Sequence, residues 1–147
     1  MRRRWVTVLL IVVGVFALIQ LFPYRVTHPT ERGEPPWDSP ETRRLAVAAC
    51  YDCHSNQTKT YWYENIAPVS WWITRHVEDG RRAMNFSTWR RLGVPFGDAA
   101  DLVKNGSMPP GYYTWFGLHP AANLSPSQRA ALIRGLEATG RRATGSG

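Results

Sequence analysis

The chain has two cysteines, and they lie three positions apart with a histidine directly after the second: Cys50-Tyr51-Asp52-Cys53-His54. Few folds use all three of those side chains at that spacing. A disulfide between Cys50 and Cys53 would close a very short loop and constrain little of the unfolded chain. A thioredoxin-like redox pair comes with a βαβ pattern, and no alternating strand is legible here. A zinc site needs a second Cys/His pair, and His76 and His119 are too far apart in sequence to form one. The remaining reading is Cys-x-x-Cys-His, the attachment signature for c-type haem. Two thiols one helical turn apart reach the two vinyl groups of a porphyrin, and the adjacent imidazole meets the iron from the proximal side. The spacing therefore predicts one covalently attached haem c, held by Cys50 and Cys53 with His54 as proximal ligand.

Upstream, Arg2, Arg3 and Arg4 precede an uncharged run, Trp5 to Phe22. Eighteen residues in a helix span about 27 Å. That predicts a single transmembrane anchor over 5–22, with residues 1–4 cytoplasmic and the rest extracytoplasmic. A cleaved signal peptide fits less well, because the run ends in Leu-Phe-Pro-Tyr without a small-x-small site. The formal charge of +7 invites a nucleic-acid reading. Between Ser39 and Gly140, however, there are eleven Lys/Arg against eight Asp/Glu, and no nucleic-acid motif is present. No nucleic-acid partner is expected.

Pro23, Pro29, Pro35 and Pro36 make 23–38 a proline-rich linker. The folded domain is expected over 39–140 and is all helical. Ser39 caps a first helix with Pro40 at its first position. Helices follow over 70–79 and 98–104. A last one opens on the Ser125/Gln128 capping box, presents Ile133 and Leu136 with Ala130 nearby, and stops at Gly140. The tail, 141–147, is expected to be disordered.

Iron held by one histidine wants a sixth ligand. Met108, in Gly-Ser-Met-Pro-Pro-Gly, is the first candidate, because prolines stiffen a loop that presents a soft thioether. His76 and His119 are the alternatives, followed by Met84. Arg81 and Arg82 are candidates for the haem propionates. The aromatic side chains from Tyr61 to Phe116 pack on a macrocycle or on one another.

The segments CYDCHSNQTKTYWYENIAPVSWWITRHVEDGRRAMNFSTW and GSMPPGYYTWFGLHPAANLSPSQRAAL resemble the bacterial haem-binding domain family of small membrane-anchored proteins. More loosely the chain is similar to class I cytochromes c, from which it departs by the aromatic YWYENIAPVSWW insertion. The resemblance implies haem binding. With the residues above, it leads to an expected membrane-anchored monohaem cytochrome passing single electrons outside the cytoplasmic membrane. Its partner would be a membrane redox complex or another cytochrome, with this chain free-standing or a subunit of a respiratory or photosynthetic complex. Two other readings stand beside it: a haem sensor or peroxidase-like enzyme with an open distal site, and a structural haem subunit.

Overall fold

The computed structural model describes residues 1–145. Among these residues seven helices follow one another: α1 (Arg2–Ile19), α2 (Pro40–Ala49), α3 (Tyr51–His54), α4 (Val69–Ala83), α5 (Trp89–Leu92), α6 (Phe96–Lys104) and α7 (Pro126–Gly145). Short 3-10 turns lie between them, and no strand occurs among the described residues. The all-α expectation therefore agrees with the structure.

The transmembrane expectation does not. Three of the eighteen residues of α1 are arginines, Gln20 ends it, and Leu21 and Phe22 lie outside it in a turn. The uncharged helical run is thus Trp5 to Ile19, about 22 Å long, against a hydrocarbon core of about 30 Å. Among the described residues no helix is long and apolar enough to cross a membrane. The transmembrane anchor over 5–22, and the single-pass membrane localisation that rested on it, are thereby overturned. Gln20 instead ties the end of α1 to the start of α4, giving and receiving a 3.0 Å hydrogen bond with the backbone of Ala67.

Residues 23–38 contain no helix, as their prolines require, but they are more than a spacer. The Gly33 N–H donates to the Ser87 carbonyl at 2.9 Å. The approach is close enough that a Cβ on Gly33 would sit 2.4 Å from that oxygen. The Glu34 carboxylate receives Trp37 Nε1 (2.9 Å), Arg43 Nη2 (2.7 Å) and the Tyr51 hydroxyl (3.1 Å). Trp37 then packs against Phe86 and Phe96, with ring centroids 5.2 and 6.1 Å away. The packed unit thus begins well before residue 39.

Local chemistry sets the ends of the main helices. Ser39 Oγ accepts from Thr42 N–H at 3.1 Å and caps α2. Ser125 and Gln128 form the reciprocal capping box of α7. That helix does not stop at Gly140 but runs to Gly145, so 141–145 are helical rather than disordered. Residues 146 and 147 lie outside the described residues.

α7 packs on α6 and crosses α2 around a core of Leu45, Phe86, Leu132 and Leu136, all essentially inaccessible. The buried face of α7 is Leu132, Gly135, Leu136 and Thr139. Leu136 was expected on it, whereas Ile133 and Ala130 lie at its half-buried margin. Gly135 makes the crossing possible, because a Cβ there would fall 2.0 Å from Thr42 Oγ1 and 2.7 Å from Thr42 Cβ. Gly135→Ala should therefore lower stability by about 2 kcal/mol or more, since overpacking forces the two helices apart. Chemical denaturation checks this, and an unchanged midpoint would show that the crossing tolerates the methyl group.

Candidate functional site

The Cys-x-x-Cys-His segment is oriented by its own second residue. Tyr51 is buried, stacks on Phe86 (5.4 Å, 24°) and reaches Glu34 with its hydroxyl. With Tyr51 committed to the core, Cys50, Cys53 and His54 remain half-buried along the edge of a crevice. Both cysteines are free thiols. Burial, helped by the charge of Cys53, pushes the Cys50 thiol up to about 12. Burial and the nearby Asp52 and Glu64 carboxylates push Cys53 up to about 11, with Arg81 opposing. Both are therefore neutral near pH 7.

α4 passes directly over this segment. Gly80 lies so close that a Cβ on it would meet the Cys53 carbonyl oxygen at 2.6 Å and Cys53 Cβ at 3.1 Å. The same approach places the Gly80 carbonyl 2.9 Å from His54 Nδ1, with the Met84 carbonyl at 3.2 Å. A carbonyl can only accept, so Nδ1 carries the proton and Nε2 keeps its lone pair. Burial holds the His54 pKa below its usual value, although the two carbonyls oppose that shift, and the imidazole is neutral.

A cavity of about 250 Å³ is lined by Cys50, Cys53, His54, Met108 and His76 together. On the Cys50 side it adjoins a pocket of about 130 Å³ walled by Phe86, Ala99, Val103 and Leu136. On the Cys53 side it adjoins a pocket of about 110 Å³ that includes Tyr63, Glu64, Tyr113 and His119. Met108 also lines the first of these side pockets. Its N–H donates to the Leu102 carbonyl at 3.0 Å. Arg129 Nη1, from α7, donates to the carbonyls of Val103 (2.8 Å) and Met108 (3.3 Å).

The other ligand candidates are placed differently. His76 donates from Nδ1 to the Trp72 carbonyl at 2.8 Å and packs between Trp72 and Tyr112, with centroids 4.3 and 5.7 Å away. Its Nε2 has no hydrogen-bond partner among the described residues. His119 stacks flat on Tyr113 (3.9 Å, 8°) and its Nε2 lies 3.4 Å from the Tyr63 hydroxyl, away from the central cavity. Met84 lines the Cys50-side pocket and gives its carbonyl to His54. Among the described residues no three His, Cys, Asp or Glu side chains gather as ligands for a metal ion.

This donor set suits haem. It offers two neutral thiols, a neutral imidazole with Nε2 free, a thioether in the same cavity and predominantly apolar walls. Arg81, a candidate for the propionates, is used inside the protein instead. It donates to the carbonyls of Ser55 (2.8 Å) and Thr27 (2.9 Å) and to Thr58 Oγ1 (2.9 Å), clamping the chain on both sides of the motif to α4. Arg82 pairs with Asp79. Neither arginine lines any of the three cavities.

The aromatic residues divide by role. Trp37, Tyr51, Phe86 and Phe96 form the packed core, Tyr63, Tyr112 and Tyr113 line the crevice, and Trp62, Trp115 and Phe116 stand exposed. Two contributors were not legible as such. Gly80 carries no side-chain signal, and Asp52, between the cysteines, receives the Tyr113 hydroxyl at 2.5 Å. Burial, then Asp52 itself, raises the Tyr113 pKa far above its usual value, so the phenol keeps its proton.

A model of the haem-binding domain family matches residues 14–138, a span that contains every residue of the crevice. No curated protein and no solved structure matches the chain.

Proposed function

Because the chain belongs to the haem-binding domain family, we propose that it holds one haem covalently and works as a carrier of single electrons. Haem supplies a one-electron couple at its iron. Cys50 and Cys53 would tether it through thioethers formed by addition of each S–H across a vinyl group. His54 would bind through Nε2, since Nδ1 is already committed to the Gly80 carbonyl. A hydrogen bond at the far nitrogen fixes the ring and raises the basicity of the ligating one. Met108 would be the distal ligand, and Met/His ligation raises the reduction potential. Ala49, Ala83, Pro109 and the ring of Tyr112 would give the macrocycle largely apolar walls. The partner would be another cytochrome or a respiratory or photosynthetic redox complex.

The observation that supports this reading most is the grouping of both thiols, the oriented imidazole and Met108 on one cavity. A second reading, a haem enzyme or sensor, draws support from His76, whose free Nε2 belongs to a side chain lining the same cavity. Purified protein should keep its haem through acid–acetone extraction and give a c-type pyridine haemochrome. Haem released into the acetone phase would rule out the thioether linkage.

A further inference from the structure

Met108 lies between two tethers. Upstream, its own backbone is fixed to α6 and α7 through Leu102 and Arg129. Downstream, five residues on, Tyr113 donates its hydroxyl to Asp52 Oδ2 at 2.5 Å. Among the described residues this is the one hydrogen bond joining 108–119 to 50–54.

The acceptor is held ready. Asp52 Oδ1 already receives the Lys59 N–H at 3.0 Å, and its carbonyl receives Thr58 Oγ1 at 2.7 Å. The donor is held as well, its ring lying flat on His119, which Tyr61 meets edge-on at 5.1 Å. Neither side chain must reorganise for the bond to form. A charge-assisted bond of that kind is among the stronger ones a protein makes.

We infer that Tyr113 and Asp52 form a latch that fastens the Met108 loop over the Cys50–His54 segment and keeps Met108 in its distal position. This rests on the reading of Met108 as distal ligand. Tyr113 is then a positioning residue. Its phenol does not touch the iron but sets how often the thioether leaves it.

The test uses the haem-loaded full chain, with carbon monoxide as the probe of an open distal site. Tyr113→Phe keeps the ring on His119 and removes only the donor. It should weaken the far-red sulfur-to-iron band of the oxidised protein. Binding of carbon monoxide to the reduced protein should become about tenfold faster or more, the scale of losing one charge-assisted hydrogen bond. Asp52→Asn removes the charge and leaves one carboxamide oxygen for two donors, the Lys59 N–H and the Tyr113 hydroxyl, so its rate should also rise, at most to that of Tyr113→Phe. A purely structural tie would lower the unfolding midpoint in both variants while leaving band and rate unchanged, and that result overturns the latch. If Tyr113→Phe fails to take up haem, Asp52→Asn decides alone: a faster rate supports the latch and a wild-type rate overturns it. Met108→Ala, measured alongside, separates the two ideas. If it leaves the band intact, the distal-ligand reading fails and the latch fails with it. If it abolishes the band while Tyr113→Phe behaves as wild type, only the latch fails.

Discussion

Gly80→Ala should destabilise the protein by about 3 kcal/mol and sharply reduce its haem content. Helix propensity predicts the opposite sign, because alanine is better than glycine inside a helix by about 1 kcal/mol. The steric term decides. A methyl group at Gly80 would lie 2.6 Å from the Cys53 carbonyl oxygen, which is backbone and cannot swing aside. Relief requires α4 to move off α3, and that movement stretches the bond from His54 Nδ1 to the Gly80 carbonyl. Stability and ligand orientation are thus lost together. Gly97→Ala in α6 is the control. Nothing lies within 4 Å of the position its Cβ would take, so propensity alone acts and stability should rise. Chemical denaturation and haem-to-protein stoichiometry read both variants. A Gly80→Ala protein as stable as wild type would show that the close crossing does not hold the site.

What was legible in the sequence follows from the range of the interactions concerned. Caps are local, so Ser39 with Pro40 and Ser125 with Gln128 located two helix starts within a few residues. The Cys-x-x-Cys-His spacing is also local, and it singled out the edge of the crevice. The far end of α7 is not legible, because Gly140 reads as a stop. In the folded chain the position of its missing Cβ is 3.0 Å from Phe96 Cβ, so that glycine serves packing against α6. Trp37 was hidden by its neighbours. Four prolines signal an irregular backbone correctly, but say nothing about whether that backbone packs. Hydropathy of the apolar run carries no helix limits, which the three arginines and Gln20 set.

The GRRAMNFSTW stretch shows the same division between local signal and tertiary cause. It could be singled out in the sequence, yet its meaning lies in contacts 26 to 54 residues away. Gly80 meets Cys53, Arg81 clamps Thr27 and Ser55, and Asn85 donates to Asn56 Oδ1 at 2.9 Å. Phe86 fills the core, and Ser87 holds both Gly33 and Asn56. The stretch is a scaffold for the segment that carries His54 rather than a set of ligands.

Met108→Ala should lower the reduction potential and open the iron to carbon monoxide. A thioether favours ferrous over ferric iron, so its loss stabilises the oxidised form. The far-red sulfur-to-iron band of the oxidised protein should vanish. Truncating Met84 should leave that band in place, because Met84 contributes its carbonyl to His54 and no alanine substitution removes a carbonyl. Truncating His119 should also leave it, since that ring is tied to Tyr113 and Tyr63. His76 is the informative case. It shares the cavity with Met108 and has Nε2 free, so it is the one histidine besides His54 placed to compete for the iron. If Met108→Ala remains low-spin and the double variant with His76→Ala turns high-spin, His76 replaces the missing thioether. If His76→Ala alone turns the protein high-spin while Met108→Ala changes nothing, the iron is bis-histidine. The potential is then lower, and the matching electron donor must be more reducing. Fast carbon monoxide binding by the unaltered protein would mean that neither side chain closes the distal site, and the carrier reading would yield to the enzyme or sensor reading.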